Sequence, residues 1–415
     1  MIRITRRLAV AVAIGLTALG TPAAAPAQQR GWGDELPPLA RPDRPPPIGP
    51  RFCGPLDWPP PPILHPPRPV RALYVNAWAF GGRRFDDLVR LADTTEINSF
   101  VIDVKDDTGY LTYRSSVPTA IAIGANSRLR APDVGARLRK LHRHGIHPIA
   151  RIVVAKDPLL ARHKPGWSVR DRDGGLWRDR LDFAWVDAFN DSVWIYAAQL
   201  AEEAVKLGFG EVQFDYVRFP DEPRARMARA VFPARRPGET ARDGVARNLR
   251  LLADRVRPLG VPFTLDVFGM TTNAEVDLGI GQIWEDLVTT ADVVLPMVYP
   301  SHYYHPIYGV RHPNSEPYRI VRSALEDGVR RARRLDRPTA EIRPYLQAFT
   351  LGRPRYTPEH VRAQIRAAAD AGIESWVLWN PRSVYDPRIF GREGPSSPIQ
   401  TALRDGGSEP LPAGR

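Results

Sequence analysis

Residues 192–220 read SVWIYAAQLAEEAVKLGFGEVQFDYVRFP, and this stretch holds the fold in miniature. Ser192–Leu207 has the length and apolar spacing of a helix, with Asn190 or Asp191 placed to cap it. Gly208 suits the left-handed turn that ends a helix. From Glu211 to Val217 the period changes to two: Gln213 and Asp215 share one face, while Val212, Phe214 and Tyr216 take the other.

The same unit recurs along the chain. Apolar, β-prone runs occupy Ala72–Trp78, Ser99–Val104, Ile146–Ala155, Glu211–Val217, Pro262–Phe268, Asp292–Tyr299, Ile342–Phe349 and Ile373–Trp379. Helix-like segments lie between them at Phe85–Thr94, Pro132–His144, Ser192–Leu207, Gly244–Val256, Gly281–Thr290, Arg319–Arg334 and Pro358–Ala371. Gly145, Gly260 and Gly372 punctuate helix ends as Gly208 does, and Pro358 after Thr357 suits a first turn. Strands alternating with helices imply a parallel sheet. Eight such strands over about 310 residues predict an α/β fold, a closed (β/α)8 TIM barrel. Its eighth helix is weak, with only Pro398–Leu403 able to form a turn or so. A doubly wound open sheet is the competing architecture, but no glycine-rich dinucleotide loop follows any strand. Two long loops, 156–189 after strand three and 218–241 after strand four, should rise at the C-terminal face.

Outside the barrel, residues 1–27 have the three parts of a secretory signal: Arg3, Arg6 and Arg7, then the apolar run Leu8–Leu19, then small residues ending Ala-Pro-Ala. Residues 28–70 are crowded with proline and predict an extended linker. The expected organisation is a signal at 1–27, the linker, a barrel at 71–388 and a tail at 389–415. It implies a secreted, periplasmic or cell-wall-associated protein with no membrane span after signal cleavage.

The chain has 415 residues and a single cysteine, Cys53, which excludes a disulfide scaffold and a cysteine-cluster metal site. Its net charge of +12 comes from 58 basic against 46 acidic residues, and all but five of the basic residues are arginine. No dense basic stripe interleaved with aromatics appears, so the charge predicts general attraction to polyanions and no specific nucleic-acid function.

The chemistry gathers at strand ends. Asp103 shares a face with Val101 and Lys105 on strand two, Asp215 closes strand four, and Asp266 shares a face with Thr264 and Phe268 on strand five. If these faces point inward, three acids meet in one cup. Buried carboxylates without partners are expensive, so their convergence calls for a reason. One is a salt-bridge network with Lys105, Arg151, Lys156 and Arg218. The other is glycoside hydrolysis, which needs two carboxylic groups flanking the bond. Asp215 is then the nucleophile or base, Asp266 the first general acid and Asp103 the second, with Asp106 and Asp107 as weaker rivals in the following turn.

Trp78, Tyr299, Trp376 and Trp379 at or near strand ends are the candidate sugar platforms. Asn76, His302, Gln347 and Asn380 are candidate hydrogen-bonding groups, and Lys105, Asp157 and Arg218 candidate rim contacts. His142, His144 and His147 fall at the opposite end of the barrel. There is no His-Glu-x-x-His, Gly-x-Ser-x-Gly, phosphate loop or Cys-x-x-Cys, so neither a metal nor a cofactor is expected.

Val70–Phe80, the run Phe100-Val-Ile-Asp-Val-Lys-Asp-Asp-Thr-Gly109, Phe214–Pro220, Asp266-Val-Phe-Gly269 and Leu295–Pro300 together resemble a bacterial glycoside hydrolase family first described as domain of unknown function 4015. The resemblance covers roughly residues 70–385. It implies a TIM barrel related to the α-amylase-like barrels, acting outside the cytoplasm on a polysaccharide. In those barrels the strand-four aspartate is the nucleophile, matching Asp215. Their strand-five acid is a glutamate, where this chain has Asp266, and their third acid follows strand seven, where this chain reads Ala348-Phe349-Thr350. The expected activity is cleavage of O-glycosidic bonds in an envelope or extracellular polysaccharide or oligosaccharide, with no protein partner. A non-catalytic carbohydrate-binding barrel and an envelope structural protein are the alternatives.

Overall fold

The computed structural model describes residues 65–390. The signal-like segment, most of the linker, Cys53 and the Pro398–Leu403 turn lie outside them.

Eight parallel strands form the wall: β1 (Arg71–Val75), β2 (Ser99–Lys105), β3 (His147–Val153), β4 (Glu211–Asp215), β5 (Phe263–Phe268), β6 (Val293–Met297), β7 (Tyr345–Gln347) and β8 (Trp376–Trp379). Each pairs with the next. β8 pairs with β1 through Arg71–Trp376 and Leu73–Leu378, and β6 meets β7 at Met297–Tyr345, so the barrel closes. Strand seven comes in two pieces: Glu341–Ile342 pairs with the start of β6, and Arg343-Pro344 separates it from β7. A proline supplies no N–H to the ladder, which accounts for the break.

Seven helices follow the first seven strands: α1 (Arg84–Asp93), α2 (Val134–Arg143), α3 (Asp191–Leu207), α4 (Ala241–Val256), α5 (Trp284–Val288), α6 (Pro317–Arg333) and α7 (Pro358–Asp370). Asn190 caps α3 by accepting the Ser192 N–H at 3.0 Å, and Gly208 ends it at φ +109°. Such a cap stabilises by about 1 kcal/mol. After β8 the described chain has only the short turn Pro387–Ile389. Ile389 and Phe390 are buried in the core.

The period-two reading sorts the residues into two layers. Leu73, Val75, Phe100, Ile102, Val104, Ile152, Val212, Phe214 and Leu265 point outward and pack under the helices with Leu138, Leu200, Leu249 and Leu325. Each buried large aliphatic or aromatic side chain stabilises by about 1.5–3 kcal/mol, so this layer dominates the fold energy. The inward face is more polar. At its N-terminal end Glu211 accepts Arg343 Nη1 at 2.7 Å and lies 3.8 Å from His147 Nε2. His147 therefore helps plug the barrel floor, far from the mouth where strand ends meet the loops.

Three differences from the sequence reading matter. β1 stops at Val75, because Asn76 accepts the Ala79 N–H at 2.8 Å and starts the short helix Ala77–Gly81. α5 is only Trp284–Val288, shorter than the expected 281–290. The two long loops join each other: Arg170–Asp171 pairs antiparallel with Ala230–Val231, and Trp177 Nε1 donates to Arg226 O at 3.1 Å. Among the described residues no helix is long and apolar enough to cross a membrane.

Candidate active site

At the mouth, β2, β3, β4 and β5 present Asp103, Arg151, Asp215 and Asp266 from neighbouring strands. Asp103 pairs in register with Arg151, and Gln213 with Thr264, which puts Asp215 and Asp266 side by side one step further on. All four side chains are buried, the acids at 2%, 4% and 1% exposure. Arg151 is the hub. Its Nη1 donates to Asp103 Oδ1 at 2.5 Å, its Nε to Asp215 Oδ2 at 3.1 Å, and its Nη2 also bonds Asp215. Asp266 Oδ2 lies 3.7 Å from the same Nε.

Each acid has a distinct second set of partners. Asp103 accepts the Tyr74 hydroxyl at 2.5 Å, Asp215 accepts the Tyr216 N–H at 2.6 Å, and Asp266 accepts Gln213 Nε2 at 3.0 Å. The other Asp266 oxygen, Oδ1, is buried without a hydrogen-bond partner among the described residues. Tyr216 holds φ +52°, a conformation unusual for an aromatic residue, where the chain turns out of β4 directly after Asp215.

One guanidinium cannot neutralise three carboxylates. Burial pushes the Asp266 carboxyl well above the usual range, and the nearby Asp215 charge adds to the rise. Burial also raises Asp103, opposed by Arg151 and the Tyr74 hydroxyl. Arg151 is itself buried, yet the surrounding acids hold its pKa above the ordinary value. A neighbouring pair of carboxyl groups, one driven toward its protonated form and one bonded by a guanidinium and a backbone N–H, is the division of labour that acid-base catalysis uses. Because both reach Arg151 Nε, the two Oδ2 atoms stand at most about 7 Å apart.

The remaining expected site residues divide into those at the cup and those turned away from it. Trp379 stacks on Tyr74 with ring centroids 3.7 Å apart, lies 4.9 Å from the Arg151 guanidinium and packs edge-on to Tyr345. Tyr299 is buried close enough to Asp266 and Asp215 for their charges to raise its phenol, after burial itself. His302 packs against Tyr299 and Phe349, and burial lowers its pKa to about 4. Trp78 is 44% exposed on the short helix Ala77–Gly81 after β1, with Arg130 over its ring. Arg218 lies at the end of the β4 motif against Tyr216, Trp185 and Phe268.

Lys105 does not share the inward face of Asp103. A bulge between them makes Lys105 pair with the outward-facing Ile152, so its side chain runs into the helix layer. There it binds Asp157 Oδ2 at 2.5 Å and lies 5.2 Å from the Tyr196 ring. Asp157 is fully buried as well. It caps the short helix Pro158–His163 by accepting the Leu160 N–H at 2.8 Å, so neither residue lies at the rim. Gly109 fits here because its φ is +86° and a Cβ would overlap Asp157 Oδ1.

Trp376 sits at the start of β8 beside Arg71, at the barrel end opposite the cup. Gln347 is buried with both ends engaged, accepting the Ser301 N–H at 3.1 Å and donating to Phe349 O at 3.1 Å. Asn76 caps its helix and donates to Pro381 O, and Asn380 donates to Ala348 O and accepts the Arg382 N–H. These three amides tie loops together. Asp106 and Asp107 are half-buried and not freely solvated. Lys156 Nζ donates to Asp107 at 2.8 Å, while burial and the Asp107 charge push Asp106 up to about 7. Among the described residues no group of three or more His, Cys, Asp or Glu could hold a metal ion.

The sequence reading gave Arg151 only a structural part and gave Tyr74 and Tyr345 none. Period two alone carried the signal, since Tyr74 and Arg151 alternate with outward Leu73, Val75, Ala150 and Ile152.

A closed parallel barrel with adjacent carboxyl groups at its C-terminal mouth defines the class, a TIM barrel of the hydrolase type. The chain belongs to the family described as "putative glycosyl hydrolase domain", whose model matches residues 72–385. Among solved structures, a hypothetical protein from Ruminiclostridium thermocellum is 36% identical over 44% of this chain and 92% of its own, with a TM-score of 0.41. The α-galactosidase from Thermus thermophilus is 17% identical over 82% of this chain and 63% of its own (TM-score 0.46). An inactive variant of the exo-β-N-acetylglucosaminidase from Vibrio harveyi is 14% identical over 80% and 53% (TM-score 0.49). This chain thus spans less than two thirds of the length of those two glycosidases. No curated protein matches it.

Proposed function

We propose that this protein is an exported glycoside hydrolase that cleaves O-glycosidic bonds in a bacterial envelope or extracellular polysaccharide with retention of configuration. The observation that carries the reading is the Asp215–Asp266 pair, neighbours on adjacent strands, with Asp266 raised by burial and by the Asp215 charge. Asp215 attacks the anomeric carbon while the Asp266 carboxyl protonates the departing glycosidic oxygen. Water then adds to the anomeric carbon as the Asp215 ester bond breaks, with the Asp266 carboxylate taking the water proton. The upper limit of about 7 Å excludes all but the lower edge of the about 6.5–9.5 Å that inversion needs to hold a water between the carboxyl groups, and it accommodates the about 5–5.5 Å of a retaining pair. Arg151, fixed by Asp103 and stacked with Trp379, positions the Asp215 carboxylate. Export rests on residues 1–27, whose pattern is that of a signal peptide.

A binding barrel without turnover is the second reading. It is favoured by the bonds Arg151 makes to both Asp103 and Asp215. Incubating wild type and Asp215→Asn with wall glycans and exopolysaccharides separates the two. Oligosaccharide products from wild type alone, resolved by mass, support hydrolysis. Saturable binding by both proteins without products supports the binding barrel.

A further inference from the structure

Of the four cations that the sequence reading placed around the cup, three have carboxylate partners: Arg151 with Asp103 and Asp215, Lys156 with Asp107, and Lys105, turned into the helix layer, with Asp157. The fourth, Arg218, has none among the described residues. Its guanidinium is half-buried and lies 4.8 Å from the Tyr216 ring centroid, 5.6 Å from Trp185 and 5.9 Å from Phe268. Among the described residues its one hydrogen bond is Nη1 donating to Phe219 O at 3.0 Å. A guanidinium carries five N–H donors, so most of this one's capacity is unspent.

Its position is specific. Tyr216 follows Asp215 directly, and Phe268 is the next residue on the face of β5 that carries Asp266. The cation therefore lies against the residues that follow the carboxyl pair on β4 and β5, held in place by rings that donate no counter-charge. Partial burial of a charge is normally offset by an opposite charge, and ring faces offset only part of it. A planar fork held on aromatic rings with its donors unspent matches a carboxylate, sulfate or phosphate oxygen pair. The same design recurs on the connections after β1 and β2. Arg130 lies 4.7 Å from the exposed Trp78 ring and Arg128 4.3 Å from Tyr110, again without carboxylate partners among the described residues.

We infer that the substrate is an acidic glycan whose anionic group, on the sugar at or next to the cleaved bond, seats on Arg218. The inference rests on the glycosidase reading for the cleaved bond, and on the unpaired cation for the charge.

Matched polymers test it: polygalacturonate and alginate against their carboxyl-reduced forms, and dextran sulfate against dextran, with dissociation constants measured by calorimetry at physiological salt. The wild type should bind at least one acidic polymer about tenfold or more tighter than its neutral match. Arg218→Gln should lose about tenfold or more of that affinity, and Arg218→Lys, which keeps the charge and loses the fork, should fall between. Arg333→Gln removes the same charge from the exposed end of α6 and should stay within about twofold, as general polyanion attraction predicts. Equal small losses for Arg218→Gln and Arg333→Gln, or no preference for any acidic polymer, overturn the inference. If Arg218→Gln fails to fold, the Lys variant and the matched polymers on wild type still decide. Product analysis of the same mixtures separates the two claims. Arg218-dependent binding without cleavage keeps this inference and removes the hydrolase reading, whereas cleavage confined to neutral polymers does the reverse.

Discussion

Replacing Arg151 by methionine keeps a long unbranched side chain and removes the charge that Asp103 and Asp215 share. The guanidinium also stands 3.7 Å from Asp266. Three buried carboxyl groups would then face one another with, among the described residues, the Tyr74 hydroxyl, the Gln213 amide and the Tyr216 N–H left as donors. Removing one partner of a buried ion pair costs about 3–5 kcal/mol, against about 5–15 kcal/mol for the whole stability of a typical domain. Arg151→Met should therefore lose about a fifth or more of its stability near neutral pH. The pH dependence follows from the raised carboxyls. Burial already lifts Asp103 and Asp266, and the variant lacks the cation that opposed the rise. Between the unfolded value of about 3.9 and those raised values, the folded variant binds more protons than the unfolded chain, so its stability increases as pH falls through that window. Urea midpoints followed by tryptophan fluorescence at about pH 7.5 and about pH 5 check both points. A variant as stable as wild type at the higher pH, or a gap that does not narrow at the lower one, would refute the reasoning.

Lys105→Met should cost about 3–5 kcal/mol by stranding the buried Asp157, and adding Asp157→Asn should recover part of the loss, measured as a double-mutant cycle in urea. Gly109→Ala should destabilise by about 2 kcal/mol or more, because the residue needs φ +86° and a Cβ would overlap Asp157; thermal unfolding reads it. Trp376→Ala should cost about 3–5 kcal/mol through lost core packing, while Trp78→Ala should change stability by less than about 0.5 kcal/mol and weaken glycan retention in affinity gels.

Much of the architecture was legible because two periods coexist in this chain. The helix-glycine-strand unit at 192–217 repeats with enough regularity to count eight strands, and alternation put Asp103, Asp215 and Asp266 on faces that do converge. The same alternation misplaced Lys105, since the bulge after Asp103 leaves no mark in a run of strand-forming residues. Trp376 and Trp379 looked alike as strand-end aromatics. Only the register with β1 reveals that β8 begins at one and ends at the other. Gln347, Asn76 and Asn380 read as sugar-binding amides because a sequence does not say whether an amide already has partners; here loop carbonyls and N–H groups occupy them. Arg151 escaped a central part for a similar reason, as one arginine among many until the fold gathers three acids around it.

The pH dependence of turnover in wild type, Asp266→Asn and Asp215→Asn, on the glycan that yields products, tests the proposed catalytic pair most directly. A general acid must be protonated to act, so wild-type kcat/KM should fall as pH rises through the raised Asp266 value. Asp266→Asn should lose about a hundredfold or more at the optimum together with that alkaline limb, and Asp215→Asn should lose at least as much at every pH. Retention of wild-type turnover within about twofold by either variant, or an alkaline limb unchanged in Asp266→Asn, would contradict the assignment.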